Sequence, residues 1–251
     1  MTQMLASVTS TAEAMLALEL GADIIDLKNP SDGALGALPL ETIRDIVKVI
    51  DGRRVVSATI GDPSEDMSLV TQKIMATAAM GVDIVKIGIA TNRSQLASWQ
   101  GVAWPGGLGS EPMAQGQWLA SGYPVSTRLV AVLFADQQPD FAWIDALAKC
   151  GFYGLMLDTS DKHSGGLRAH LKDKQLRDFV ERAHSQNLAC GLAGSLRIGD
   201  IAPLLAMAPD YLGFRGALCR NVSRTEQLDA AAMRAVREHI PRDGQTSNIA
   251  L

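Results

Sequence analysis

The chain has 251 residues, 47% of them hydrophobic and 20% charged, so it can bury a sizeable core and is not a globally disordered sequence. Its 23 basic and 27 acidic residues leave a net charge of −4, which disfavours a dedicated nucleic-acid binder but not a local cationic site for a small anion. No apolar run is long enough for a membrane-spanning helix, and the start Met1-Thr2-Gln3-Met4 lacks the pattern of a signal peptide. Cys150, Cys190 and Cys219 form no CxxC pair and no even disulfide framework, and His163, His170, His184 and His239 show no HxH or HExxH spacing. The expectation is a cytoplasmic protein with no membrane segment, no nucleic-acid partner, no metal and no organic cofactor.

In chain order, short apolar runs alternate with amphipathic helical patterns. Met4–Val8 reads as a strand, and a helix follows that Thr11 can cap and that runs to Leu20. Asp23–Leu27 is the second strand, with a helix over Leu40–Ile50; Val55–Thr59 is the third, with a helix over Met67–Met80. Ile84–Ile87 is the fourth. The stretch 91–127 then breaks the rhythm: Trp99, Trp104 and Trp118 sit among glycines, and the expectation is an irregular excursion. Leu129–Phe134 is the fifth strand, with a helix over Phe141–Cys150. Leu155–Leu157 is the sixth, with a helix over Asp173–Gln186. Ala189–Ala193 and Tyr211–Phe214 close the set, with helices over Ile198–Ala206 and Thr225–His239. Most helices stop at Gly, Asn or Pro. Eight nearly continuous apolar strands of this kind suit a parallel sheet buried on both faces. At about 250 residues the fold expected is an α/β (β/α)8 (TIM) barrel. It would occupy residues 1–240, with a polar, aperiodic tail over 241–251.

An internal echo supports the barrel. Gly21-Ala22-Asp23-Ile24-Ile25-Asp26, Gly81-Val82-Asp83-Ile84-Val85-Lys86, Pro209-Asp210-Tyr211-Leu212-Gly213-Phe214-Arg215 and, more loosely, the run from Gly151 to Asp158 share one plan. Each is a helix stop, a short strand and a charge where the strand ends. These are the even-numbered strands, and charge at the C-terminal end of a barrel strand reads as catalytic. The candidates are Asp26 and Lys28, two apart and so on one face of an extended chain, with Lys86, Asp158 and Arg215. Lys86 interrupts an aliphatic strand, and a buried ammonium needs partners, for which Asp26 and Asp158 are the natural choices. Lys162 either is solvated or reaches back over the site, and His163 reads as a surface loop residue. A neutral lysine can attack a carbonyl to form a Schiff base, or serve as a base. Lowering a lysine from ~10.4 to ~7.5 takes roughly 4 kcal/mol; burial and a second ammonium act in that direction and carboxylates against it. After strands seven and eight, Ala193-Gly194-Ser195-Leu196 and Gly213-Phe214-Arg215-Gly216 stand where such barrels bind phosphate. Gly194, Ser195, Arg215 and Gly216 are the candidate ligands, Arg215 as a charge-assisted fork. Asn29–Gly36 and His163–Leu167 read as loops that could close over a substrate.

At these residues the chain resembles the (5-formylfuran-3-yl)methyl phosphate synthases of methanofuran biosynthesis, nearly end to end. The resemblance is carried by Gly-Ala-Asp-Ile-Ile-Asp-Leu-Lys-Asn-Pro at 21–30, Val-Ser-Ala-Thr-Ile-Gly-Asp at 56–62 and Val-Lys-Ile-Gly at 85–88. It continues in Met-Leu-Asp-Thr at 156–159 with Lys162, Leu-Ala-Gly-Ser-Leu at 192–196 and Gly-Phe-Arg-Gly-Ala-Leu-Cys at 213–219. The stretch 91–127 departs from it. The resemblance implies a lyase that joins two triose phosphates (glyceraldehyde 3-phosphate) with loss of phosphate and water. It makes Lys28 the Schiff-base lysine, Lys86 the proton acceptor, and Asp26, Asp158 and Lys162 further catalytic residues. No cofactor is needed, because the lysine is itself the electron sink. The expected partners are phosphorylated small molecules and other copies of the chain, with apolar residues of 99–120 as a possible subunit contact. Two alternatives stay open. Another phosphosugar barrel, either a Schiff-base aldolase or an isomerase, would give a non-aromatic product or no covalent adduct. A non-catalytic sugar-phosphate-binding barrel would bind without turnover.

Overall fold

The computed structural model describes residues 1–89, Trp99 and residues 127–242. Eight parallel strands close into one barrel in sequence order: β1 (Gln3–Val8), β2 (Ile24–Leu27), β3 (Val55–Thr59), β4 (Ile84–Gly88), β5 (Arg128–Phe134), β6 (Gly154–Asp158), β7 (Ala189–Leu192) and β8 (Tyr211–Phe214). The helices between them are α1 (Thr11–Glu19), α2 (Leu40–Ile50), α3 (Met67–Ala78), α4 (Trp143–Lys149), α5 (Leu167–His170), α6 (Asp173–Ser185), α7 (Ile198–Leu205) and α8 (Ala230–Glu238). The α/β barrel expected from the strand pattern is therefore the fold observed. The excursion expected at 91–127 falls outside the described residues except for Trp99 and Thr127. Trp99 is fully buried, with its ring edge-on to Phe152 at 5.4 Å, so it is not an exposed subunit contact. Among the described residues no helix is long and apolar enough to cross a membrane.

Capping chemistry corrects two helix starts. Ser10, not Thr11, caps α1, its side chain accepting the Glu13 N–H. The last helix begins at Ala230 rather than Thr225, because Asp229 caps it through the Ala232 N–H. Residues before it form a strap tied back by a bridge between Cys219 and Leu228. The expected tail is tethered at its start, where Arg237 donates to the Pro241 carbonyl; residues 243–251 are outside the described set.

The echo has a second meaning at the N-terminal face of the barrel. Asp23, Asp83 and Asp210 stand just before β2, β4 and β8. Their carboxylates accept the backbone N–H of Met4, Val56 and Cys190, at 2.7 Å in each case. Each aspartate N–H donates in turn to the same residue's carbonyl. The three aspartates thus satisfy the N–H of the second residue of each neighbouring strand, a stabilising role at the face opposite the strand C-termini.

Inside the barrel, side chains stack in layers. Leu5, Ile24, Ile84, Val130, Met156 and Tyr211 fill the lower part. Gly191 makes room for the Tyr211 ring: a Cβ there would lie 2.1 Å from its Cε2. Above this apolar floor the inward positions turn polar. Ser7, Asp26 and Ser57 share one register row, and Thr59 and Lys86 share the next. That change from apolar to charged, layer by layer, puts the chemistry at the C-terminal mouth.

Candidate active site

The mouth gathers three ammonium groups and two carboxylates. Asp26, at the end of β2, is fully buried. Its Oδ1 accepts from Ser57 Oγ at 2.6 Å, its Oδ2 from Ser7 Oγ at 2.8 Å, and Lys86 Nζ lies 2.6 Å from Oδ1. Asp158, at the end of β6, accepts Lys162 Nζ at 2.6 Å and the Thr159 N–H at 2.8 Å on Oδ1, and Lys28 Nζ at 3.2 Å on Oδ2. Lys162 does reach back over the site, and it also donates to Thr159 Oγ1 at 3.2 Å. His163 is exposed at the rim.

Burial alone would push the Asp26 and Asp158 carboxyls up. For Asp26 the ammonium groups of Lys86 and Lys28, with the Ser57 hydroxyl, more than offset it; for Asp158 those of Lys162 and Lys28 do so. Both carboxyls titrate below the usual carboxylate range. Burial pushes Lys86 down, and the nearby Lys28 adds to this against the opposing pull of Asp26 and Asp158. Lys162 is likewise lowered, by burial first. Lys86 and Lys162 are therefore the ammonium groups at the site that burial makes easier to deprotonate, and Lys86 is only 2% exposed.

A cavity of about 250 Å³ opens onto this group. Its wall carries Asp26, Lys28, Asp158 and Lys162, while Lys86 is not on that wall and is held against Asp26. Leu35, from the loop after β2, is buried among the barrel's interior side chains and closes the mouth above β4, where it packs over Gly88. That loop is fixed by Asn29 N–H to Gly36 O at 2.8 Å and Leu35 N–H to Asp62 Oδ1 at 2.8 Å. Gly33 holds φ +85° within it, with no space for a Cβ beside the Asp62 carboxylate.

On the opposite wall, Gly194 (φ +105°) and Ser195 (φ +50°) take left-handed conformations in succession. Among the described residues the N–H groups of Gly194, Ser195 and Leu196 donate to no protein acceptor, and all three residues line the cavity. Backbone amides bared in such a turn form an anion-binding concavity. Gly216 lines the same wall.

Arg215 requires a correction. Its Nε donates to Arg224 O, Nη1 to Ser7 O and to Glu13 Oε2 at 2.6 Å, and Nη2 to Glu13 Oε1 and Glu226 O. All five N–H groups are occupied by the protein, so no fork remains for a phosphate. Arg215 instead pins the strap 224–228 against β8, and Glu13 completes the clamp by accepting the Leu228 N–H. Several residues were missed at the sequence level. Ser7 and Ser57 had a visible signal, a hydroxyl inside an otherwise apolar strand. Arg224 and Asp136 had none, since loop packing alone brings them to the mouth. Asp136 accepts the Ser160 and Asp161 N–H groups at 2.8 and 2.7 Å and so fixes the loop before Lys162.

Fold and mouth together define a (β/α)8 barrel with buried lysine–carboxylate pairs at the C-terminal ends of its strands. The same fold occurs in phosphoribosyl anthranilate isomerase from Thermus thermophilus (TM-score 0.62, 14% identity, 95% of this chain and 98% of that one). It also occurs in 3-hexulose-6-phosphate synthase (TM-score 0.60, 16% identity, 96% and 100%). Sequence comparison is more specific. The model of the 4-HFC-P synthase family matches residues 4–237. A (5-formylfuran-3-yl)methyl phosphate synthase of Methanopyrus kandleri is 33% identical over 250 residues, 96% of each chain. A Methylorubrum extorquens protein assigned provisionally to that activity is 40% identical over 229 residues, 91% of this chain and 87% of its own. The chain belongs to the 4-HFC-P synthase family.

Proposed function

We propose that this protein condenses two molecules of glyceraldehyde 3-phosphate into (5-formylfuran-3-yl)methyl phosphate, a methanofuran precursor, through a lysine Schiff base. The observation that carries this reading is the pair of separately held lysines, Lys28 against Asp158 and Lys86 against Asp26. One lysine meets the cavity and the other is held against a carboxylate that does. The Lys28 amine adds to the carbonyl of one triose phosphate and expels water, leaving an iminium that acidifies the neighbouring C–H. That proton passes by way of Asp26 to Lys86, whose burial favours the neutral, accepting form. The resulting enamine forms the carbon–carbon bond to the aldehyde carbon of the second triose phosphate. Hydrolysis of the imine returns Lys28. Across the sequence two trioses lose one orthophosphate and two waters, and the aromatic ring draws the steps forward. The bared amides of Gly194, Ser195 and Leu196, with Gly216, hold the retained phosphate.

The direct assay follows the ultraviolet absorbance of a conjugated furan aldehyde together with free orthophosphate. The expected result is their appearance in equal amounts from glyceraldehyde 3-phosphate alone. A reversible, non-aromatic product without phosphate release would indicate a simple aldolase and overturn the reading.

A further inference from the structure

The mouth of the barrel holds a second chamber of about 560 Å³ on the side of β2, β3, β5 and β6. Asp62, Gln137 and Asp161 are on its wall, and it meets the first chamber at Lys162, His163 and Arg224, which line both. Two arginines on the wall of the first chamber, Arg215 and Arg224, differ in what they have left to give. Arg215 spends all five N–H groups on the protein. Among the described residues Arg224 spends one, from Nη2 to the Gly33 carbonyl at 3.0 Å. Arg215 in turn holds the Arg224 and Glu226 carbonyls, so the strap that carries Arg224 is fixed while its guanidinium stays available.

The carboxylates divide the second chamber by charge. One oxygen of Asp62 accepts the Leu35 N–H, and one of Asp161 accepts the His163 N–H. Both repel a phosphate and accept hydroxyl groups, whereas the edge formed by Arg224 and Lys162 attracts a phosphate. A small aldehyde bearing hydroxyl and phosphate groups matches that division from end to end. Resting on the two-substrate condensation argued above, we propose that the second chamber binds the second phosphorylated aldehyde, with Arg224 gripping its phosphate where the chambers meet. The first chamber then forms the imine, and the second delivers the acceptor carbonyl to it.

The test separates the two binding events, using glyceraldehyde 3-phosphate as the probe and the variants Arg224→Ala, Arg224→Lys and Gln137→Trp. Borohydride trapping reads occupancy of the first chamber, and furan formation against substrate concentration reads the second. Arg224→Ala is expected to trap at the wild-type level while the half-saturating concentration for turnover rises on the order of ten- to a hundred-fold, as for loss of charge-assisted hydrogen bonds. Arg224→Lys is expected to restore part of this, and Gln137→Trp, which fills the second chamber without removing a charge, to give the same split. Trapping and turnover falling together in Arg224→Ala would overturn the proposal by assigning Arg224 to the first chamber, as would turnover unchanged in both Arg224→Ala and Gln137→Trp. If Arg224→Ala does not fold, Gln137→Trp decides alone on the same criterion. If the wild-type protein gives neither adduct nor furan, the condensation itself fails and this proposal fails with it.

Discussion

Glu13 and Arg215 show how one buried pair can serve a site without touching a ligand. The ion pair is 2.6 Å long with both side chains under one-tenth exposed, and it joins α1 to the strap after β8. Breaking one partner of a buried pair leaves the other uncompensated, which costs about 3–5 kcal/mol. Glu13→Gln is therefore expected to lower stability by ~3 kcal/mol in urea or thermal unfolding; a change within ~0.5 kcal/mol would mean the pair is solvated in solution. None of this was legible at the sequence level, where Arg215 read as a phosphate fork, because its partner lies 202 residues away. The strand-end charges Asp26, Lys86 and Asp158 were legible, since each interrupts or terminates an apolar run. Which lysine pairs with which carboxylate was not, because that depends on how β2, β4 and β6 face one another across the barrel.

At the scale of elements, the eight strands could be read from short apolar runs and helix stops, their bounds shifting by at most one residue at either end, and capping moved two helix starts. The loops carried less signal. The one-turn helix α5 is too short to show periodicity, and the closure of the mouth by Leu35 depends on contacts with Gly88 of β4 and with Gly61 and Asp62 in the loop after β3. Inside the sheet, Gly191 answers Tyr211 across the β7–β8 pair. Gly191→Ala is expected to destabilise by about 3 kcal/mol, the upper end for overpacking a core, and Gly191→Ala with Tyr211→Leu to recover most of that. Additive losses in the double variant would show that the ring does not set the requirement for glycine.

At the scale of the whole molecule, the charged mouth links pH to both stability and rate. Asp26, Asp158 and Glu13 titrate below their ordinary values in the fold, burial opposing and their cationic partners prevailing. A lowered carboxyl stabilises the fold fully above the unfolded value, near ~4, and loses that contribution as pH falls through it toward the folded value. Unfolding on acidification is expected to begin near pH ~4, and stability flat to below pH ~3 would contradict it. In the proposed reaction the rate also rises with pH, in a more alkaline range. Lys86 must be neutral to take a proton, so kcat is expected to rise with pH through an apparent value below the ~10.4 of a free lysine. Lys86→Ala should abolish that rise and reduce kcat by roughly 10²–10⁴-fold while imine formation persists.

The central claim is that Lys28 forms the covalent bond. Borohydride reduction with glyceraldehyde 3-phosphate, followed by peptide mass mapping, addresses it most directly. One reduced triose-phosphate adduct is expected on the peptide containing Lys28, retained in Lys86→Ala and absent in Lys28→Ala. An adduct on Lys86 or Lys162 in the wild-type protein, or one that survives Lys28→Ala, would contradict it.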